Sequence, residues 1–79
     1  MSKEQQIALW INIMMTAMRN RFGLSRDVFT PIALKYKIPQ FLIGQYELLH
    51  YYDNEYIVDD ILRYITEQGG NINELRRAI

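Results

Sequence analysis

The strongest constraint on the fold is apolar spacing of a helical kind, interrupted several times by helix-capping residues. Apolar side chains recur three and four residues apart along the chain, and no segment alternates like a half-buried strand. Ser2, Ser25 and Asp53 each precede such a segment and are good N-cap residues. Gly23 and Gly69 each follow one and are typical of helix ends. For a chain of 79 residues, these signals predict one small all-α domain, a compact bundle of four helices.

The helix boundaries follow from the caps, and open questions remain at two prolines, at one glycine and at the end of the chain. Pro39 suits the first turn of the third helix, whereas Pro31 either kinks the second helix or begins a new one. Gly44 lies in mid-helix, and we expect a close helix crossing to explain it. Asn71 with Glu74 forms a predicted capping box, so the end of the chain either forms a short fifth helix or frays. The predicted helices span about 3–22, 26–37, 39–50, 54–68 and 72–79, with 71–79 as the alternative frayed tail.

Composition excludes several classes of protein. Cysteine is absent, which rules out a disulfide scaffold, thiol catalysis and a cysteine zinc site. The hydrophobic fraction of 49% is too high for a disordered chain. The most apolar stretch, Ile7 to Met18, is broken by Asn12 and Thr16 and is shorter than the roughly 20 residues that a membrane span needs. No signal-peptide cleavage site follows it, so we expect a cytoplasmic protein without a membrane segment.

The net charge of zero conceals an asymmetry between the two halves of the chain. Residues 1–45 hold six basic and two acidic side chains, while residues 46–79 hold three basic and seven acidic ones. Either the two halves neutralise each other within one fold, or the basic half binds an acidic partner or nucleic acid, or the chain associates head to tail with copies of itself. The turn at 22–25, between two helices with basic residues, also resembles a helix-turn-helix. The would-be recognition helix carries few base-reading side chains, so DNA binding is the alternative interpretation.

Little in the sequence indicates catalysis. The single histidine, His50, precedes Asp53, Asp59 and Asp60, which as a group could bind a metal or transfer protons. The alternative is that His50 lies at the C-terminal end of the third helix and bonds a nearby backbone or carboxylate group. No phosphate-binding loop or nucleophile elbow is present. We therefore expect no enzymatic activity, no metal and no cofactor.

The first helix has apolar residues over too wide an arc for one buried face. Either this helix is central and packed on two sides, or its second face meets another chain in a homodimer or a complex. Met14 and Met18 belong to the first face. The second face comprises Leu9, Trp10, Ile13 and Ala17.

The fourth helix carries aromatic residues beside its apolar stripe. Tyr56, Asp60 and Tyr64 fall four residues apart, where tyrosines either cover the edge of a core or form an interface. Asp59 and Arg63 have the spacing of a helix-surface ion pair.

The stretch from Phe41 to Gly69 resembles a family of short, functionally uncharacterised bacterial proteins. Members pair a Tyr-acid-x-Leu-His motif, here residues 46–50, with a downstream Tyr-Ile-Val-x-Asp-Ile segment, here residues 56–61. The resemblance covers about residues 5–70, whereas Pro31 and Pro39 are not part of the pattern and 71–79 lie beyond its usual end.

The resemblance implies a small helical protein, often encoded beside a protein that resembles an ADP-ribosyltransferase, in a toxin–antitoxin-like arrangement. It assigns no catalytic role to any residue. Carried over to this chain, it marks Tyr46, His50, Tyr56 and Asp60 as a structural or partner-binding locus, to which the spacing on the fourth helix adds Tyr64. A hydrogen bond between His50 and Asp60 is expected to join the third and fourth helices. The predicted function is a non-enzymatic protein–protein interaction module, an antitoxin-like or regulatory partner of a co-encoded protein.

Overall fold

The structure is a computed structural model and describes residues 1–77 of the chain. Five α-helices form in this range. Within that range no strand is present, so the prediction of an all-α bundle of four helices with a short fifth is confirmed. Residues 78 and 79 of the predicted last helix lie outside the described part. The helices are α1 (Lys3–Phe22), α2 (Arg26–Lys35), α3 (Ile38–Leu49), α4 (Asn54–Glu67) and α5 (Asn73–Arg77).

The capping residues set the helix boundaries as predicted. The Ser2 side chain accepts a hydrogen bond from the Gln5 backbone at 3.1 Å, and the Ser2 backbone donates to the Gln5 side chain at 2.9 Å. Gly23 ends α1 with a φ of 67°, in the left-handed region that favours glycine. Ser25 and Asp53 cap α2 and α4 through their side chains. Local chemistry thus decides where these helices begin and end.

Helix α2 continues through Pro31 without a second start. Pro31 lies in the second turn with its ring exposed, so it costs one backbone hydrogen bond, to the Asp27 carbonyl, and meets no neighbour in the core. The helix ends at Lys35, two residues earlier than predicted. Lys37 has a φ of 54°, and this left-handed residue turns the chain directly into α3.

Helix α3 is the hub of the packing. It packs against α1, α2 and α4, whereas α1 packs mainly on α3 and α4. Packing of α1 on two helices agrees with one of the two alternatives for its wide apolar arc, but α3, with three neighbours, is the more central helix. Sequence reasoning missed Ile38 on α3, which is fully buried. The buried residues from the four long helices and α5 are Met14, Met18, Phe22, Phe29, Ala33, Ile38, Leu42, Leu49, Ile57, Val58, Ile61, Ile65 and Leu75, joined by Leu24 and Tyr36 from the turns.

Helix α5 is docked, not frayed, over its described residues. Leu75 is only 1% exposed. The Glu74 carboxylate accepts hydrogen bonds from Lys35 Nζ and the Tyr36 hydroxyl, both at 2.8 Å. Since Glu74 is engaged there, it does not complete the predicted capping box. Asn71 instead accepts from the Asn73 backbone at 2.9 Å. The chain end is thereby fastened to the end of α2.

The longest helix, α1, lacks the unbroken apolar length that a bilayer span requires, and so does every other helix in the described range.

Gly44 does not mark a helix crossing, because a Cβ added there would meet nothing within 4 Å. Gly70 is the crowded glycine, since a Cβ there would lie 2.5 Å from Tyr36 Cε1 and 2.9 Å from Ile65 Cγ2. The expected explanation for Gly44 was therefore wrong.

Substitution of the two glycines by alanine should have opposite effects. Gly44→Ala should raise the free energy of unfolding by about 1 kcal/mol, because alanine favours an exposed helix interior. Gly70→Ala should lower it by about 1–3 kcal/mol through steric overlap. Thermal unfolding followed by circular dichroism measures both, with a shift of roughly 4–8 °C per kcal/mol. A loss of stability in Gly44→Ala would contradict the assignment of Gly44 to an open surface.

The docking of α5 should weaken in acid. Hydrogen bonds from Lys35 and Tyr36 lower the pKa of Glu74 below its ordinary value of 4.5. A lowered folded-state pKa stabilises the fold above the unfolded-state value, and this contribution is lost as the pH falls through the folded-state value. Glu74→Gln should therefore have a lower melting temperature than the native chain at neutral pH, with the difference vanishing in acid. Glu67→Gln, at an exposed carboxylate on α4, is the matched control and should follow the native curve.

Candidate functional site

Four side chains form a continuous row of rings from α1 across α3 to the turn before α4, here called the aromatic row: Trp10, Tyr46, His50 and Tyr51. The Trp10 and Tyr46 rings meet edge to face with centroids 5.3 Å apart. Tyr46 and His50, four residues apart on α3, stack at 4.2 Å with nearly parallel planes. Tyr51 follows at 3.9 Å from His50. The row thus joins residues that the sequence placed in two separate candidate surfaces.

His50 closes the end of α3. Its Nδ1–H donates to the Tyr46 carbonyl at 2.6 Å, and its backbone N–H donates to the same oxygen at 3.0 Å. The ring thus adds a second donor to a carbonyl in the last turn of the helix, where backbone donors run out. The interpretation of His50 as a helix-end residue bonded to backbone is confirmed.

The predicted bond between His50 and Asp60 was wrong. Asp60 accepts from Arg63 at 3.1 Å, and within residues 1–77 no hydrogen bond joins it to His50. The reason is helical register. Tyr64, one turn from Asp60, stacks on Phe41 at 4.2 Å. Phe41 and His50 are nine residues apart, which places them on opposite sides of α3.

The predicted locus therefore divides into three places. Tyr46 and His50 belong to the aromatic row, while Asp60 and Tyr64 lie on the Phe41 side of α3. Tyr56 lies apart from both and stacks on Tyr52 at 4.4 Å, with each of these two rings about half exposed. The sequence spacing showed which residues share a helix face but not which neighbouring helix that face meets.

The predicted second face of α1 is half covered. Trp10 and Ala17 pack against the core, whereas Leu9 and Ile13 remain 51% and 46% exposed. A shallow groove of about 340 Å³ lies beside Ile13 and Ala17 and reaches Asn54 at the start of α4. Leu9 and Ile13 therefore form an apolar surface that none of the described residues covers, on the same helix as Trp10.

Charged side chains of the two halves pair across the fold. Arg21 bonds Glu55 at 2.7 Å and Asp59 at 3.2 Å. Lys3 pairs with Glu47, whose pKa is lowered by that hydrogen bond. With the Lys35–Glu74 pair, three of the six basic residues of the first half are neutralised by the second. The interpretation of the asymmetry as internal complementarity is confirmed for these residues.

The predicted Asp59–Arg63 pair was wrong. Asp59 points to Arg21 on α1, and Arg63 pairs with Asp60 three residues earlier.

A metal site at His50 has no geometric support. Over residues 1–77, no three His, Cys, Asp or Glu side chains lie close enough together to hold an ion. Asp53 is engaged as the cap of α4, and Asp59 and Asp60 are engaged with arginines.

The inner and outer ends of the aromatic row should differ in their effect on stability. Tyr46→Leu removes contacts with two rings and should lower the free energy of unfolding by about 1–2 kcal/mol. Tyr51→Leu should change it little, because Tyr51 is 80% exposed. Thermal unfolding by circular dichroism compares the two. Equal destabilisation would show that the row does not lie as described.

Comparison with models of known protein families, with curated proteins and with solved structures finds no match. The family resemblance of residues 5–70 therefore stays a prediction. The assignment of a function to this chain depends on its own geometry and charge.

Proposed function

We propose that this chain is a non-enzymatic protein–protein interaction module that docks through the aromatic row together with Leu9 and Ile13. The observation that carries the proposal is the position of Tyr51. Its ring is 80% exposed, yet it is held against the His50 ring at 3.9 Å. An exposed aromatic side chain that is already ordered loses little conformational entropy when a partner covers it. Tyrosine and tryptophan are also the side chains that most often dominate binding energy at interfaces.

The charge around the aromatic row indicates the kind of partner. Lys3, beside the row, is paired with Glu47. The first turns of α4 present Asp53, Glu55 and Asp59 against one guanidinium, that of Arg21. The start of α4, shortly after Tyr51, is therefore net negative. The fitting partner is a protein with an apolar groove bordered by lysine or arginine side chains. Docking there would act by covering a surface of that partner, as expected of an antitoxin-like or regulatory protein encoded alongside it.

DNA binding by the basic half is the weaker alternative. Lys3, Arg21 and Lys35 are engaged with carboxylates of the second half, which reduces the positive field available to a phosphate backbone. The exposed residues of α2 include Val28 and Leu34, which do not read base edges, beside Arg26 as the one exposed arginine of this helix. The surface of Leu9 and Ile13 could instead be covered by a second copy of this chain, and the test must distinguish such a homodimer from a complex with another protein.

The test measures the affinity of a purified complex with the co-encoded protein. Tyr51→Ala combined with Ile13→Ser should weaken binding by at least about tenfold, since both side chains are exposed and lie on the proposed interface. Leu34→Ser, at a side chain exposed on α2, is the matched control and should bind like the native chain. Calorimetric titration gives the affinities, and circular dichroism verifies that each variant folds.

Three results would overturn the proposal. One is equal binding by the double variant and the native chain. Another is light scattering that finds the native chain only as a homodimer and the Ile13→Ser variant as a monomer. The last is retention of duplex DNA that falls steeply with salt and is unaffected by Tyr51→Ala.

A further inference from the structure

A second concave surface lies between α1 and α2 and shares Asn12 and Thr16 with the shallow groove beside Ile13. It has a volume of about 550 Å³. It opens where α1 and α2 diverge from the Gly23 turn, because α1 packs mainly on α3 and α4 while α2 packs on α3. We call this cavity the α1–α2 groove. It is lined by Asn12, Met15, Thr16, Arg19, Arg26, Phe29 and Thr30.

We propose that the α1–α2 groove binds a small organic phosphate, with the phosphate group held between Arg19 and Arg26. The helical register brings the polar groups together. Asn12, Thr16 and Arg19 are spaced by four and three residues, and so share one face of α1. Arg26 and Thr30 are four residues apart and share one face of α2. Two faces that each carry an arginine and a threonine therefore border one cavity.

The charge of the groove is uncompensated. Arg19 and Arg26 form no ion pair among residues 1–77, in contrast to Lys3, Arg21 and Lys35. No carboxylate lines the cavity. Two positive charges in a concave surface attract an anion more strongly than the same charges on a convex one.

The Arg19 guanidinium is already oriented. Its Nε–H donates to the Leu24 carbonyl at 3.3 Å, which holds the planar group near the turn and leaves its terminal amino groups to bind a ligand. Guanidinium groups bind phosphate oxygens through paired, charge-assisted hydrogen bonds. The hydroxyls of Thr16 and Thr30 and the amide of Asn12 supply further donors.

The groove is larger than a phosphate ion requires. Its volume lies within the roughly 300–1,000 Å³ typical of small-molecule sites. Met15, which is only partly buried, gives it an apolar patch over the buried Phe29, against which an organic group attached to the phosphate can pack. The chemical class is therefore a phosphomonoester of about mononucleotide size. This proposal is independent of docking through the aromatic row.

The test titrates the ¹⁵N-labelled full-length chain with inorganic phosphate, adenosine monophosphate and adenosine at constant physiological salt. Saturable amide shifts at Thr16 and Thr30 are expected with the monophosphate, weaker ones with phosphate alone, and none with adenosine. Arg26→Gln removes no hydrogen bond within the described chain and should weaken binding by about tenfold. The double variant Arg19→Gln/Arg26→Gln should abolish saturation. Lys37→Gln, at an exposed cation outside the groove, should bind like the native chain.

Several outcomes would overturn the proposal. These are shifts that do not saturate, shifts centred away from the groove, and unchanged affinity in a folded Arg26→Gln. Binding of adenosine equal to that of the monophosphate would show that the phosphate is not what the groove recognises. Binding of duplex DNA without binding of either phosphate probe would assign the two arginines to a nucleic-acid backbone instead.

Discussion

Burial of apolar side chains around α3 is the interaction on which the rest of the structure depends. Ile38, Leu42 and Leu49 line the inner side of α3, and α1 and α4 close over them with their own buried stripes. Each fully buried Leu or Ile contributes about 1.5–3 kcal/mol. A chain of 79 residues has few such residues to oppose the conformational entropy of folding. The docking of Leu75 from α5 matters for the same reason, because it adds a buried side chain to a small core.

The charged residues are arranged around this core and decide what the surface offers. Ion pairs between exposed side chains contribute little stability individually, but they fix which charges remain available. Lys3, Arg21 and Lys35 are taken up by carboxylates of the second half. What remains includes a pair of arginines over the α1–α2 groove and an excess of carboxylates in the first turns of α4. The zero net charge therefore conceals local excesses of each sign.

Helix α1 connects these surfaces, and its wide apolar arc has a physical explanation. One side, with Met14 and Met18, is buried in the core. A neighbouring side carries Trp10 into the aromatic row, with Leu9 and Ile13 beside it. The remaining side borders the α1–α2 groove. Because α1 has neighbours on more than one side, its apolar residues extend beyond a single stripe. The wide apolar arc therefore reflects partial burial within this chain together with an exposed surface at Leu9 and Ile13.

The sequence by itself determined the fold class, the four long helices and the N-caps of three of them, because capping bonds such as those of Ser2 and Asp53 join residues three positions apart. It also predicted His50 as a helix end, for the same local reason. It did not determine which helix is central, why Gly44 is tolerated, or that Asp59 pairs with Arg21 and not Arg63. Those outcomes depend on how whole helices pack, and contacts between residues far apart in the chain have no local signal. The contact of Trp10 with Tyr46 and the α1–α2 groove were decided by tertiary structure alone, since each joins different helices whose relative rotation only the packed core sets.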